Sequence, residues 1–471
     1  MVRLKSTVVY LGAVVLTLLG FFGVRTLGSS LEGPVAAGGA AFDAALPAPA
    51  FDVLGHVLIA FVVIVLVSRG LGSLFARFGQ PPVVGEIVAG ILLGPSLLGR
   101  IAPEGSAFLF PPQVTPHLGV LAQVGVILYM FLVGLHLDTR LLRRKTEASI
   151  AISHASILAP FLLGSILALW LYTRWAGAGV PFTVFALFLG VSMSVTAFPV
   201  LARILTDRKI HKSRLGTLAL ACAAVDDVTA WCLLALVVGV ARSEPNKVLV
   251  TVGLTAAFIA LLYFVIRPVA RKFVARRAVA PGSPQTTLAV ACVALLLSAL
   301  ATESIGIHAL FGAFLLGAVI PHDSSVAREL LGKLEDAVVV LLLPVFFAYT
   351  GLRTQIGLVN GVEEWLACIL IVLVASTGKF GGSLLAARAT GSGWREAASL
   401  GVLMNTRGLM ELIVLNVGLD LGVLSPTLFA MLVLMAVVTT LATTPTLALL
   451  GVEEDPARVA QSREVRSRAA K

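Results

Sequence analysis

"MSVTAFPV", residues 193–200, lies inside one long apolar run, and "MNTRGLMEL", residues 404–412, lies inside another. A helix of about 20 apolar residues crosses the hydrocarbon core of a bilayer, and backbone polar groups at that depth must find partners within the protein. Pro199 removes a backbone donor, and its ring disfavours helix at Phe198. Asn405, Thr406, Arg407 and Gly408 bring polar side chains and a helix-weakening glycine to the middle of the second run. Either stretch alone reads equally well as a kink or a polar packing patch. Both, however, fall in the fifth span of their half of the chain, and matched positions predict two discontinuous helices that cross at mid-membrane. Pro199, Asn405, Thr406, Arg407 and Glu411 are then the residues that support the crossing.

Of the 471 residues, 58% are hydrophobic and 13% charged, a balance that requires an all-α polytopic membrane protein. Residues 1–30 hold a basic start and an apolar run, fitting either a retained N-terminal helix or a signal peptide, and 31–52 form a Gly/Ala/Pro-rich extracellular linker. Thirteen apolar runs follow, at 53–76, 82–99, 117–137, 149–172, 182–205, 214–241, 247–267, 285–304, 306–322, 336–352, 364–388, 396–420 and 426–450. With the N-terminus inside, 27 of the 35 Lys and Arg fall in cytoplasmic segments and 6 in translocated ones, as orientation by positive charge demands. Lys379 and Arg407 remain, both within spans. The first six of the thirteen runs (53–241) start outside and the last six (285–450) start inside, with a linker helix in 242–284 between them. This predicts an inverted-topology repeat of two six-helix halves, followed by a basic cytoplasmic tail, 451–471. The net charge of +10 is therefore an orientation signal and gives no sign of nucleic-acid binding.

"AAVDDVTAW", residues 223–231, places Asp226 and Asp227 side by side near the middle of the sixth span. A carboxylate there costs about 2.5 to 3.5 kcal/mol or more, so something must neutralise or hydrate it. Adjacent helical residues point about 100° apart, so the two can take different roles, one facing a cavity and the other a neighbouring helix. Lys379 is the natural partner: it lies too deep to snorkel, and Gly378, Gly381 and Gly382 permit close helix approach. The cluster fits a proton-exchange device, or more simply a buried ion pair that locks helices together. Arg407 and Glu411, four apart on one helical face, can satisfy each other, with Arg407 also compensating carbonyls of the unwound segments. Glu86 begins the second span near the cytoplasm, where it could line a funnel leading to the site or act as a cap. Glu303, His136, His154 and His308 lie near span ends, in solvated or packing roles. Cys222, Cys232, Cys292 and Cys368 fall within apolar spans and read as small core residues rather than a disulfide or metal framework. No cofactor motif and no set of nucleophile, histidine and acid indicates an enzyme.

The stretches "GQPPVVGEIVAGILLGPSLLG", "LAQVGVILYMFLVGLHLD", "SVTAFPVLARIL", "AAVDDVTAWCLLALVV", "GIHALFGAFLLGAVIP", "TGLRTQIGL" and "NTRGLMELIVLNVGLD" occur in this order between about residues 53 and 450. In them the chain resembles the monovalent cation/proton antiporter superfamily, in the branch of bacterial sodium/proton and potassium/proton exchangers and plant-type cation/proton exchangers. The resemblance implies a core domain that moves against a dimerisation domain in an elevator-like cycle, and hence a homodimer. It also implies that Asp227 alternately binds proton and cation, that Asp226 pairs with Lys379, and that Ser194, Thr196 and Asp226 contribute to the cation shell. The Asp pair with lysine resembles electrogenic sodium exchangers, while the wider motifs resemble plant-type exchangers associated with potassium, so Na+ and K+ both stay open. The tail carries no Gly-rich fingerprint, so gating through an appended nucleotide-binding domain is not expected.

The expected function is secondary antiport in a bacterial inner membrane, cation and proton competing for one mid-membrane carboxylate. The alternative is a sodium-coupled solute symporter on the same scaffold, which would need a cavity richer in hydrogen-bonding and aromatic groups. A channel would need a carbonyl-lined filter, for which the sequence has no repeat.

Overall fold

The computed structural model describes residues 53–136, 147–210, 213–242, 248–279 and 283–451. The expected N-terminal helix or signal peptide, its linker and the basic tail beyond Gly451 lie outside the described residues. The first half holds α1 (Val53–Arg77), α2 (Pro82–Leu93), α3 (Leu98–Ile101), α4 (Pro103–Leu109), α5 (Thr115–His136), α6 (Glu147–Trp175), α7 (Phe182–Ser194), α8 (Phe198–Asp207) and α9 (Arg214–Arg242). Next come α10 (Val248–Leu261), a π turn (Leu262–Ile266) and α11 (Arg267–Val279) as one continuous rod. The rest is α12 (Pro284–Ile305), α13 (Ala309–Val319), α14 (Ser325–Ala337), a second π turn (Val338–Leu342), α15 (Leu343–Arg353), α16 (Val362–Ala389), α17 (Trp394–Met404), α18 (Leu409–Asp420) and α19 (Pro426–Leu449). Among the described residues no strand forms; one isolated bridge joins Ala176 to Leu424.

Among the described residues nine helical segments are long and apolar enough to cross a membrane, or ten if α17 and α18, bent by 43° at their break, count as one. The other expected spans fall on shorter or interrupted pieces: α7 and α8, α13, and the rod from α14 to α15. The run expected at 306–322 is helical only over Ala309–Val319, and the one expected at 336–352 continues a helix that starts at Ser325.

Lipid and core faces separate as a bilayer requires. Leu158, Leu162, Ile166 and Leu169 recur at helical spacing on α6 and are each more than half exposed, an apolar stripe that suits acyl chains. The opposite face of α6 meets α16 closely: a Cβ on Gly378 would come within 2.8 Å of Pro160 Cα, and one on Gly382 within 2.6 Å of the Ala155 carbonyl oxygen. Small residues spaced four apart allow this approach. Gly381, expected to share in it, faces open space instead, because it lies on another side of α16. Similarly, Cys222 and Cys368 are buried, whereas Cys232 is exposed and Cys292 intermediate, since lying within a span fixes depth and not direction.

Helices α7 and α18 are buried along nearly their whole lengths, which places their broken ends at the centre of the bundle. The break in the first is not where the proline predicts. Helix resumes at Phe198, and Pro199 occupies its first turn, where a missing N–H leaves no hydrogen bond unmade. The unwound residues are Val195, Thr196 and Ala197, on the N-terminal side.

Candidate functional site

The two unwound segments are hydrogen-bonded to each other. Ala197 N–H donates to the Thr406 carbonyl at 3.0 Å, and Thr196 Oγ1 lies 3.2 Å from the Met404 carbonyl, its single proton shared between that oxygen and Asp226. From α19, Thr440 Oγ1 accepts from Arg407 N–H at 3.1 Å and donates to the Arg407 carbonyl at 2.8 Å. A Cβ on Gly408 would lie 2.6 Å from Val200 Cγ2, so only glycine lets the second break rest on α8 without displacing Val200.

An interrupted helix leaves its last carbonyls unpaired and carries partial negative charge at that end. Here two buried cations meet the end of α7. Arg407 Nη1 donates to the Ser192 carbonyl at 2.9 Å and Nη2 to the Met193 carbonyl at 2.7 Å, while Lys379 Nζ donates to the Ser194 carbonyl. Arg407 Nη1 also donates to Glu411 Oε2 at 2.8 Å, and Arg407, Glu411 and Lys379 are fully buried.

The two aspartates sit in different surroundings. Asp226 is completely buried and accepts from Ser153 Oγ at 2.5 Å, Ser156 Oγ at 2.5 Å, Thr196 Oγ1 at 2.9 Å and Lys379 Nζ at 3.2 Å. Asp227 is 3% exposed, and neither of its carboxylate oxygens has a hydrogen-bond partner among the described residues. The backbone N–H of Phe198, at the positive end of α8, bears on it without closing a bond. Lys379 matches Asp226 and Arg407 matches Glu411. The crossing therefore holds three carboxylates against two cations, and the surplus negative charge belongs to Asp227.

The remaining expected residues divide. Ser194 has its hydroxyl on the carbonyls of Gly190 (2.7 Å) and Ile157 (3.0 Å) and its own carbonyl on Lys379, so both its oxygens face protein partners. Asn405 Nδ2 reaches Ser376 Oγ at 3.5 Å, and Thr406 Oγ1 lies 3.5 Å from Thr443 Oγ1. Glu86 is buried away from the crossing network, with Arg69 Nη1 3.7 Å from its carboxylate. Glu303 accepts from Ala309 N–H at 3.0 Å at the start of α13, and His136 lies 4.0 Å from Glu335. Ser153, Ser156 and Thr440 belong to the site but carried no mark in the sequence. A serine pair three apart on the apolar α6 was the one available sign, and such hydroxyls commonly bond their own backbone instead.

A helical bundle that buries an unmatched carboxylate where two broken helices cross is built as an integral membrane ion carrier. The chain belongs to the transmembrane sodium/hydrogen exchanger family, whose model matches residues 57–451. It is 46% identical over 399 residues to the Na(+)/H(+) antiporter NhaS4 of Synechocystis sp., covering 83% of this chain and 95% of that one. It is 42% identical over 400 residues to cation/H(+) antiporter 20 of Arabidopsis thaliana, and 34% identical over 391 residues to K(+)/H(+) antiporter 1 of Saccharomyces cerevisiae. Each of these alignments covers 81% of this chain, which spans about half the length of the plant and yeast relatives (47% and 45%). In fold it is similar to the sodium proton antiporter MjNhaP1 from Methanocaldococcus jannaschii at pH 8, with a TM-score of 0.61 at 15% identity, covering 82% of this chain and 96% of that one.

Proposed function

We propose that this protein exchanges a monovalent cation for protons across the membrane, the two competing for Asp227. The charge balance at the crossing carries this reading: Asp226 and Glu411 have their cations, and Asp227 has none. A buried carboxylate in that position must be neutralised, and a proton or a monovalent cation each supply one positive charge. Only one can do so at a time, so proton release to one side accompanies cation uptake from the same side. Thr196 and the unwound backbone beside it contribute oxygens to the cation, while Asp226 and Lys379 hold the frame. The cation is Na+ or K+, the ions named for the Synechocystis and yeast relatives. The sodium-coupled symporter has no observation in its favour.

The same reading extends to architecture. Counting the broken pair α7–α8, the bent pair α17–α18, the short α13 and the rod α14–α15 as crossings gives thirteen spans, arranged as inverted repeats over 53–241 and 285–450. The breaks at 195–197 and 405–408 then occupy equivalent fifth helices, which supports the assignment. The positive-inside count supports a cytoplasmic C-terminus; the membrane on this reading is a bacterial inner membrane, and Glu86, near the cytoplasmic end of its span, belongs to an entry funnel. By family likeness the protein works as a homodimer.

Reconstitution into liposomes loaded with a pH-sensitive dye tests the function. Under an imposed proton gradient, NaCl or KCl should restore the dye signal in the wild type and fail to do so in Asp227→Asn. Failure of both cations with folded wild-type protein would remove the exchanger reading.

A further inference from the structure

Four residues beyond Asp227 on α9 stands Trp231, which is 4% exposed. Its indole Nε1, like both oxygens of Asp227, is buried without a hydrogen-bond partner among the described residues. Residues four apart share a helix face, and helical side chains lean towards the N-terminus, which brings the indole over the turn that carries Asp227. Buried tryptophan N–H groups ordinarily find an acceptor. The indole is a donor only, and an ionised carboxylate an acceptor only. The two groups do not bond each other directly, and a water bridging them would accept from the indole and donate to the carboxylate.

We propose that Trp231 positions a water at Asp227 and that this water is a ligand of the transported cation. The inference rests on Asp227 being the exchange site. When cation replaces proton, the water keeps its indole bond through one lone pair and turns the other to the cation. It thereby supplies an oxygen that Ser194, whose hydroxyl is held by Gly190 and Ile157, does not. Trp231 is on this account a positioning residue, and its N–H, not its bulk, is the operative group.

The test compares wild type, Trp231→Phe, Trp231→His and Asp227→Asn in proteoliposomes, titrating NaCl and KCl. Trp231→Phe should raise the apparent KM about five-fold, the weight of one lost neutral hydrogen bond, with maximal rate within about two-fold and melting temperature unchanged. Trp231→His, which retains a ring N–H, should return KM to within about two-fold of wild type. A wild-type KM in Trp231→Phe, or the same raised KM in both variants, overturns the proposal. Should Trp231→Phe not fold, tryptophan emission of the wild type decides: saturating cation should change it, and Asp227→Asn should abolish that change. No change in a wild type that exchanges cations also overturns the proposal. If instead the wild type exchanges neither cation, or Asp227→Asn still exchanges, the functional reading itself fails.

Discussion

Replacing Arg407 by Met would strand Glu411 at zero exposure and remove the donors from the Ser192 and Met193 carbonyls. Breaking a buried pair by deleting one partner costs about 3 to 5 kcal/mol, and each orphaned carbonyl adds roughly 1 to 3 kcal/mol. Glu411→Met strands the guanidinium instead, which keeps its two carbonyl acceptors, so that change should cost only about 3 to 5 kcal/mol. The double variant leaves no unmatched charge. It loses the two carbonyl contacts, about 2 to 6 kcal/mol in all, and should be more stable than Arg407→Met alone. The coupling between the two positions should therefore be at least about 3 kcal/mol. Equilibrium unfolding by SDS in mixed micelles, run on all four proteins, measures it. Additive losses, with the double variant as unstable as the two singles summed, would refute the idea that this pair is a closed charge unit leaving Asp227 as the surplus.

Three further outcomes follow from the same geometry. Gly382→Ala should lower the melting temperature in detergent, an overpacking penalty of about 1 to 3 kcal/mol against the Ala155 carbonyl, while Gly381→Ala, which meets open space, should not. Saturating cation at about 100 times its Kd should stabilise the wild type by about 2.7 kcal/mol against a choline control of equal ionic strength, and should leave Asp227→Asn unmoved; equal shifts in both would place the cation elsewhere. Because proton and cation compete for one carboxylate, each unit fall in pH below the midpoint of the site should raise the apparent cation KM about tenfold at constant maximal rate. A falling maximal rate at fixed KM would mean that protons act at a separate group.

The sequence showed most clearly what a bilayer penalises. Asp226, Asp227, Lys379, Arg407 and Glu411 stand out because hydrocarbon makes each of them expensive, and the structure places all five at one crossing. Which aspartate carries the surplus charge came from the family resemblance and was not legible in the residues themselves, because Asp226 is also held by Ser153 and Ser156, hydroxyls from a helix more than 60 residues away in sequence. Pro199 announced an interruption but mislocated it: a proline tolerates the first turn of a new helix, so the break lies just before it. Hydropathy alone sees an apolar run whether its helix is continuous, as in α16, or split, as in α7 and α8, so only the polar and proline residues within a run marked a break.

The two π turns have a consequence for chain length. A π turn holds one residue more than the α-helix it interrupts, and each residue turns a helix by about 100°. From Ser325 the rod begins amphipathic, with Lys333, Glu335 and Asp336 outward, and after Val338–Leu342 it is buried at almost every position from Leu343 to Thr350. The extra residue is what lets two segments with different environments share one axis while out of phase. Deleting a single residue within Val338–Leu342 would give a more regular helix and a worse protein, since Phe346 and Phe347 would rotate away from the core they now fill. Relatives that differ in length by one residue here should differ in helix type rather than in fold.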